Sequence, residues 1–300
     1  MFNILVQGLI TVSPLLLAYY LAALGHSIVE KSGVLNLAID GAFVLGVSLA
    51  FATAIYSENN IVYSMITAAI GSLIIGLILV YTTTKLPVSH GAVGLSLMFL
   101  GYGLAGVIGI PARTIQGLTG QDIGYSYSIN DAILTVVMIV ILGLLFYYLD
   151  EKTKFGAMIR ACGEDPLSAE ALGVNVVITR LIAGVIGFTL IGLGAGAFEL
   201  FYTKLWREGA GIGQGWIAFA IALSSGRHPL LGIFTASVFA VLYQYKFSLL
   251  AYGIPREFAE ALPFATAIIA MIIYMATPLR RRLAPPKSLG KPFFKEERTI

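Results

Sequence analysis

Long apolar runs make up most of the chain, and short polar stretches separate them. A helix of about 20 mostly apolar residues crosses a bilayer. The runs near this length are Ile4–Leu24, Leu37–Tyr56, Ile61–Thr84, Gly91–Ile110, Ala132–Leu149, Leu181–Phe201, Leu230–Leu250 and Ala261–Thr277. One further run, Gln214–Ser225, is shorter. It is read either as an additional crossing or as a broken, re-entrant helix, which is allowed only where protein or water satisfies its backbone.

Composition excludes a soluble protein. Of the 300 residues, 58% are hydrophobic and only 12% are charged, a balance that the surface of a soluble domain of this size does not sustain. The sequence therefore predicts an all-α polytopic membrane protein in a lipid bilayer, with about 8–10 transmembrane helices. We assign residues 1–280 to one membrane domain and residues 281–300 to a basic cytoplasmic tail, with no fused module.

Lysine and arginine residues predict the orientation. They crowd the C-terminal tail and a central polar stretch, residues 150–180; these side chains are Lys152, Lys154, Arg160, Arg180, Arg280, Arg281, Arg282, Lys287, Lys291, Lys295 and Arg298. Segments rich in such residues are typically cytoplasmic, so an even number of crossings should separate the two. That parity favours counting Gln214–Ser225 as a crossing.

The central polar stretch carries the signals of a short helix. Asp165 can cap free backbone N–H groups, and Pro166 suits the first helical position. Gly173 is a natural stop. The helix between them, Pro166–Leu172, is too short to be stable alone in water. It is therefore predicted to lie against the polar ends of its own spans or against a soluble partner chain.

Polar residues within or beside the apolar runs invite local predictions. Asn36 is placed to cap the second helix, with Asp40 one turn into it, where the helix dipole favours a carboxylate. Two interpretations of Asp40 have equal weight. It is either a polar residue that faces the bundle interior or pathway, or an acid at the membrane interface that anchors the helix end. Glu199 is predicted to be solvated or paired with nearby basic residues. Residues 111–131, which contain several glycines, are predicted to form an external loop.

Three motifs, in order along the chain, resemble one family of transport proteins. They are Gly33-Val34-Leu35-Asn36-Leu37 with Asp40-Gly41; Arg160 and Gly163 followed by Pro166, Ala169, Ala171 and Gly173-Val174; and Gly213-x-Gly215-Trp216-Ile217-Ala218 with Ala220, Ala222-Leu223, Gly226-Arg227 and Pro229. Their order and spacing resemble the permease subunits of bacterial and archaeal ABC importers. The similar branch serves ribose-type sugars, nucleosides and branched-chain amino acids, and the nucleoside or simple-sugar type within it is the nearest. The resemblance covers about residues 25–275.

The resemblance implies a role for the central stretch. The helix within residues 164–173 would be a coupling helix that docks on a separate ATPase subunit. The residues implied in that contact are Arg160, Glu164, Asp165, Pro166, Ala169, Glu170, Leu172 and Gly173. The chain departs from the family's pattern at residues 87–96, where relatives usually carry a more acidic, Asn-containing run, and at Asp165, where Asn is common. The first departure bears on the substrate. The second leaves coupling intact, because Asp caps a helix as well as Asn does.

The same resemblance implies the composition of the complex. The sequence lacks the phosphate-cradling loop GxxxxGKS/T, so ATP and Mg²⁺ are expected on the partner ATPase, with no cofactor, metal or enzymatic activity on this chain. Expected partners are that ATP-binding subunit, a second permease chain, identical or related, and an extracellular substrate-binding protein, but no nucleic acid. The complex would lie in the plasma membrane of a bacterium or archaeon. Alternating access would carry a sugar or nucleoside between two permease chains, past the candidate pathway residues Asn36, Asp40, Ser96 and Gln214.

Alternatives remain open from the sequence. The cargo of the same kind of transporter could be a branched-chain amino acid. A secondary transporter or channel that works without ATP is favoured by the broken helix at residues 214–225 and by the acids Asp40 and Glu199. Against it, no pair of acids is placed symmetrically in matching half-spans, and the central helix would have no role. A membrane scaffold without transport is permitted but not favoured.

Overall fold

The described part of the chain is built from helices. The computed structural model describes residues 2–250, 252–277 and 283–293. Its helices are α1 (Phe2–Lys31), α2 (Ile39–Tyr56), α3 (Ile61–Lys85), α4 (His90–Thr119), α5 (Ile129–Lys152), α6 (Lys154–Glu164), α7 (Pro166–Ala171), α8 (Val176–Ala197), α9 (Gln214–Ser224), α10 (Pro229–Leu250) and α11 (Arg256–Met275). A π-helix, Phe198–Thr203, continues α8. These residues contain no β-strand. The predicted all-α polytopic fold is confirmed.

Length and exposed surface identify a multi-pass membrane protein. Among the described residues, six helical stretches are long and apolar enough to cross a membrane: Val6–Lys31, Ile39–Tyr56, Ile61–Lys85, His90–Thr119, Ile129–Lys152 and Val176–Thr203. Large apolar side chains on α3, α4 and α5 point outward, and Val62, Val107 and Leu134 are each more than 60% exposed. A continuous apolar surface of this kind is unsuited to water but matches lipid chains.

The helices α1, α2 and α8 occupy the centre of the bundle, and their side chains supply most of the buried core. Small residues bring backbones into direct contact. A Cβ atom added at Gly41 of α2 would lie 2.3 Å from the Met98 carbonyl oxygen of α4, and one at Gly101 would lie 2.4 Å from the Gly41 carbonyl oxygen. These glycines fix how closely α2 and α4 approach.

Contacts between loops define two ends of the bundle. At one end, which we call the basic end, Lys31 in the last turn of α1 pairs with Asp150 on α5. The helices α6 and α7 and residues 283–293 also lie there. At the opposite end, Asn59 between α2 and α3 exchanges hydrogen bonds with Gly124 between α4 and α5. The chain thus passes between the ends with each of α1, α2, α3, α4, α5, α8, α9, α10 and α11.

Two crossings are discontinuous. Residues 32–38 enter the bundle from the basic end without forming a helix and are mostly buried, so that α2 begins only at Ile39. Residues 204–213 return from the opposite end, also without forming an α-helix, before α9 begins, and Trp206 is the buried residue among them. Because a helix rises about 1.5 Å per residue, the 11 residues of α9 cover only about half a membrane. The run at Gln214–Ser225 is therefore a half-helix that completes a broken crossing.

The predicted external loop at residues 111–131 is wrong in its first part. Helix α4 continues through Pro111 to Thr119, and only residues 120–128 connect it to α5. Proline removes one N–H donor and disfavours helix in the residue before it, but it does not prevent helix after it. The helix ends instead at Gly120, whose φ of 67° is the left-handed conformation typical of a helix stop.

Two predictions about polar side chains are also wrong. Asn36 does not cap α2, because the segment before the helix stays extended and the cap position falls on Ala38, which has no side-chain cap bond. Glu199 is neither solvated nor paired: it is fully buried and neither carboxylate oxygen has a hydrogen-bond partner among the described residues. The π-helix Phe198–Thr203 extends past Glu199, so the residue lies within the bundle rather than at its end.

Part of the predicted basic tail cannot be compared with the structure. Arg280, Arg281, Arg282, Lys295 and Arg298 lie outside the described residues. Residues 283–293 are described and fold back against the basic end of the bundle.

Candidate functional site

The predicted short helix at the basic end is present as α7. The Asp165 carboxylate accepts hydrogen bonds from the backbone N–H groups of Leu167, at 3.1 Å, and Ser168, at 3.2 Å. The Ser168 hydroxyl donates a further bond of 2.5 Å. These bonds, the hydroxyl of Ser168 first, lower the pKa of the Asp165 carboxyl. Pro166 occupies the first turn and Gly173 follows with a φ of 88°. Local capping therefore specifies this helix, as the sequence predicted.

The residues proposed for ATPase coupling lie on or beside α6 and α7, and they differ in exposure. Those that are exposed are Glu164, Asp165, Leu172 and Gly173, and those that are buried or half-buried are Arg160, Pro166, Ala169 and Glu170. Leu172, directly after α7, is 85% exposed. Ala169, on the buried side of α7, packs with Cys162 of α6 and Val176 of α8. Arg160 pairs with Asp150 of the same chain at 3.0 Å.

Residues 283–293, which we call the C-terminal strap, contribute to this face and were missed as a structural element. Ser288 and Phe293 pack against α6 and α7. The sequence analysis treated this region only as a basic tail. A signal was present in the aromatic pair Phe293-Phe294 amid prolines and lysines, but no periodicity marks the segment as ordered.

The half-helix α9 is fixed at its start by Asp40. The Asp40 carboxylate accepts hydrogen bonds from the backbone N–H groups of Gly213, at 3.0 Å, Gly215, at 2.7 Å, and Trp216, at 3.3 Å. The Tyr102 hydroxyl donates another. The first N–H groups of a helix have no partners within it and carry its positive dipole end. Asp40 thus acts as an N-cap supplied by another helix, and a charge inside the bundle is satisfied.

Gln214, beside this cap, joins three helices. Its amide oxygen accepts a hydrogen bond of 2.6 Å from the Tyr19 hydroxyl, and its amide nitrogen donates one of 2.8 Å to the Tyr243 hydroxyl. Tyr19 and Tyr243 also meet edge to face, and Tyr202 lies against Tyr243. The arrangement is a cluster of aromatic rings and one amide within the bundle.

The four candidate pathway residues do not all share one location. Asp40 and Gln214 lie together at the start of α9. Asn36 is fully buried on the non-helical segment before α2, and its side-chain amide has no partner among the described residues. Ser96 lies on the exposed face of α4, where its hydroxyl donates to the Ala92 carbonyl. A pathway role for each of these residues stays a prediction.

A buried ion pair holds the other end of α9, and the sequence analysis missed it. Arg227, three residues beyond α9, donates two hydrogen bonds to Glu30 of α1, at 2.7 Å and 2.6 Å. His26 of α1 lies 3.3 Å from the second Glu30 oxygen. Glu30 and His26 are fully buried and Arg227 nearly so. Both ends of α9 are therefore attached to the first two helices by buried carboxylates.

Comparison with known proteins agrees with this architecture. Residues 5–271 match the family model described as the permease component of branched-chain amino acid transport systems. The guanosine ABC transporter permease NupQ of Bacillus subtilis is 26% identical over 98% of this chain and 99% of its own length. A putative glucose ABC transporter permease of Haloferax volcanii is 26% identical over 74% of this chain and 71% of its own. A probable branched-chain amino acid transport permease of Methanocaldococcus jannaschii is 28% identical, over 48% and 44%. The chain belongs to this permease family, and its function is that of the permease subunit of an ABC importer.

Proposed function

We propose that this permease carries a nucleoside or a simple sugar across the plasma membrane of a bacterium or archaeon. The guanosine relative matches nearly the whole chain, whereas the branched-chain amino acid relative matches about half. The cluster of Tyr19, Gln214 and Tyr243 supports the same choice, because aromatic rings and an amide suit bases and sugars. A substrate-binding protein on the outer side would deliver the solute.

The α6–α7 pair docks on a separate ATP-binding subunit in this proposal. The observation that carries it is α7 itself, a helix capped by its own residues that presents Leu172 at 85% exposure on the basic end. ATP and Mg²⁺ bind that partner, since the chain has no GxxxxGKS/T loop. A second permease chain, identical or related, would supply the other wall of the pathway, and rocking of the two chains would alternate access to the solute.

Docking is tested by changing one exposed leucine. Leu172→Asp places a charge on the proposed interface and should abolish co-purification of the ATP-binding subunit with tagged permease. Leu118→Asp is the matched control, because Leu118 is 83% exposed but lies at the opposite end of the bundle. We expect the control to retain the subunit. Retention by both variants would count against docking at α7.

Cargo is tested by uptake into vesicles that contain the complete transporter. Labelled guanosine, glucose and leucine are offered separately, with ATP inside or absent. ATP-dependent uptake of guanosine or glucose supports the proposed cargo, and uptake of leucine alone assigns the chain to amino acids. Uptake that proceeds without ATP under a proton or sodium gradient would favour a secondary transporter instead.

A further inference from the structure

The C-terminal strap contacts α6, α7 and both broken crossings at once. It caps α6 through Ser288. The Ser288 backbone N–H donates a hydrogen bond of 2.9 Å to the Gly163 carbonyl, and the Ser288 hydroxyl bonds the same carbonyl at 2.5 Å and the Cys162 carbonyl at 3.3 Å. The last carbonyl groups of a helix have no partner inside it. The strap therefore satisfies groups that α6 leaves open.

Phe293 anchors the strap between three helices. It is 5% exposed and packs with Cys162 of α6, Ala169 of α7 and Val176 of α8. The Arg180 guanidinium lies over its ring, with the central carbon 5.6 Å from the ring centre. Burying an aromatic ring and covering it with a cation contributes more than any exposed contact of the strap. The position of α7 relative to the bundle thus depends on this phenylalanine.

Two further contacts join the strap to the broken crossings. The Gly290 N–H donates a hydrogen bond of 3.1 Å to the carbonyl of Gly33, at the start of the non-helical segment before α2. Leu283 packs on Gly226, two residues beyond α9, and a Cβ atom at Gly226 would lie 2.4 Å from the Leu283 Cβ. The first segment leads to Asp40 at the start of α9, and the second to Arg227 just beyond its end.

We propose that the C-terminal strap is a brace that transmits movement of the α6–α7 pair to both ends of the half-helix α9. The proposal rests on the proposed function, in which the ATP-binding subunit moves α7. The helix α7 has six residues and packs on the bundle through Ala169, among other contacts. The strap joins this packing to Gly33, seven residues before Asp40, and to Gly226, the neighbour of Arg227. A contiguous set of contacts of this kind can couple distant sites. Ser288 and Phe293 are positioning residues in this device.

Tryptophan fluorescence offers a test that needs no knowledge of the cargo. The chain has two tryptophans, and Trp216 lies at the start of α9 beside Asp40. In a Trp206→Phe background, Trp216 is the remaining tryptophan of this chain. Subtracting the emission of a complex whose permease carries both Trp206→Phe and Trp216→Phe removes the signal of tryptophans in the partner subunits. We expect the complete transporter to show a shift in Trp216 emission when ATP and vanadate trap the ATPase. Phe293→Ala should abolish that shift while the ATP-binding subunit stays bound and hydrolyses ATP.

Control variants separate transmission from folding. Phe258→Ala removes the same ring from a position that is 69% exposed and should leave the shift unchanged. Phe293→Leu, which restores apolar volume, should recover most of the shift. Ser288→Ala removes one hydroxyl and should reduce it less than Phe293→Ala does. An unchanged shift in Phe293→Ala with a bound, active ATPase overturns the brace alone. A parent chain that binds no ATP-binding subunit overturns the proposed function and the brace with it.

The single cysteine provides a second measurement on the same complex. Cys162 is buried beside Phe293, so its rate of reaction with N-ethylmaleimide reports whether the strap stays in place. We expect slow labelling of the parent complex both without nucleotide and when trapped with ADP and vanadate, and faster labelling of Phe293→Ala. Fast labelling of the parent in either state would show that the strap detaches, which contradicts a brace.

Discussion

At the residue scale, the buried charged side chains of this permease bond to backbone groups and to one another. An ionised side chain inside a membrane bundle is costly and is by default a functional candidate. The oxygens of Asp40 are nevertheless occupied by three backbone N–H groups and a tyrosine hydroxyl. Glu30 is likewise occupied by Arg227 and faces His26. These contacts hold both carboxylates in place, so any role of Asp40 or Glu30 in transport must be compatible with a structural role.

Replacing Asp40 with asparagine should destabilise the protein. The asparagine oxygen can accept from some of the same N–H groups, but its amide nitrogen is a donor and would leave others unsatisfied. We expect Asp40→Asn to lower stability by about 1–3 kcal/mol, the usual range for buried unsatisfied groups. Thermal unfolding of the detergent-solubilised protein, followed by tryptophan fluorescence, measures the change.

The matching control removes only the side-chain donor to Asp40. Tyr102→Phe leaves all three backbone bonds to the carboxylate intact. It should cost about 1.5 kcal/mol, the low end of the range for a hydrogen bond to a charged group, and less than Asp40→Asn, because every backbone N–H keeps its acceptor. Equal losses in the two variants would show that the carboxylate does not act as the cap of α9.

His228 should make stability depend on pH. Burial lowers the pKa of this imidazole, the Lys31 charge lowers it further, and Asp150 and Glu151 act in the opposite direction. In the unfolded chain its pKa is about 6.5. The folded state therefore binds fewer protons, so stability is complete above about pH 6.5 and falls as the pH drops from there toward the lowered folded value. The unfolding temperature should decrease between about pH 7.5 and pH 5.5.

The variant His228→Gln isolates this contribution. The other two histidines, His26 and His90, remain in both proteins, so the difference between the two pH profiles belongs to His228. We expect the decrease toward pH 5.5 to be smaller in the variant. Superimposable profiles would contradict a buried, neutral His228.

At the element scale, glycines set how closely α2 and α4 pack, and two positions on α4 allow a matched comparison. A Cβ atom at Gly101 would lie 2.4 Å from the Gly41 carbonyl oxygen, a backbone atom, whereas one at Gly103 meets nothing within 4 Å. Gly101→Ala should destabilise by about 1–3 kcal/mol through overpacking. Gly103→Ala should be neutral or stabilising by up to about 1 kcal/mol, because alanine favours helix. The unfolding temperatures of the two variants measure the difference. Similar temperatures for Gly101→Ala and Gly103→Ala would contradict a close backbone contact at Gly101.

The same scale shows which elements the sequence could predict. Helix α7 was predictable because its cap at Asp165, its Pro166 and its stop at Gly173 lie within nine residues. The apolar spans were predictable from length and composition alone. The extension of α4 past Pro111 was not, since proline ends some helices and is accommodated within others.

Contacts distant in sequence explain the rest. Asp40 caps a helix 175 residues away, and Ser288 caps one 125 residues away. No periodicity or local motif encodes such pairings, although each residue type suits its role. The candidate site at α9 was therefore predicted only in part. Asp40 and Gln214 were singled out as candidate pathway residues, but the bonds from the α9 backbone to Asp40 were not predicted. Arg227 was noted only as part of a family motif.

At the scale of the whole molecule, the first two helices and the half-helix α9 form one unit. Asp40 of α2 holds the start of α9, and Glu30 of α1 holds the turn beyond its end. The chain between these attachments includes α3 to α8. Short polar links thus join the two halves of the sequence inside the bundle.

A double-mutant cycle on Glu30 and Arg227 measures how strongly this link holds. Arg227→Met leaves the buried Glu30 carboxylate without its cation and should cost about 3–5 kcal/mol. The double variant Glu30→Gln, Arg227→Met removes both charges, and we expect it to be more stable than Arg227→Met alone, because an unpaired buried charge costs more than a neutral pair. Arg160→Met, which breaks a partly exposed pair with Asp150, should cost at most about 1 kcal/mol. The single variant Glu30→Gln completes the cycle. If the losses of stability in Glu30→Gln and Arg227→Met simply added in the double variant, the pair would not act as a unit. The half-helix α9 would then be held mainly by Asp40.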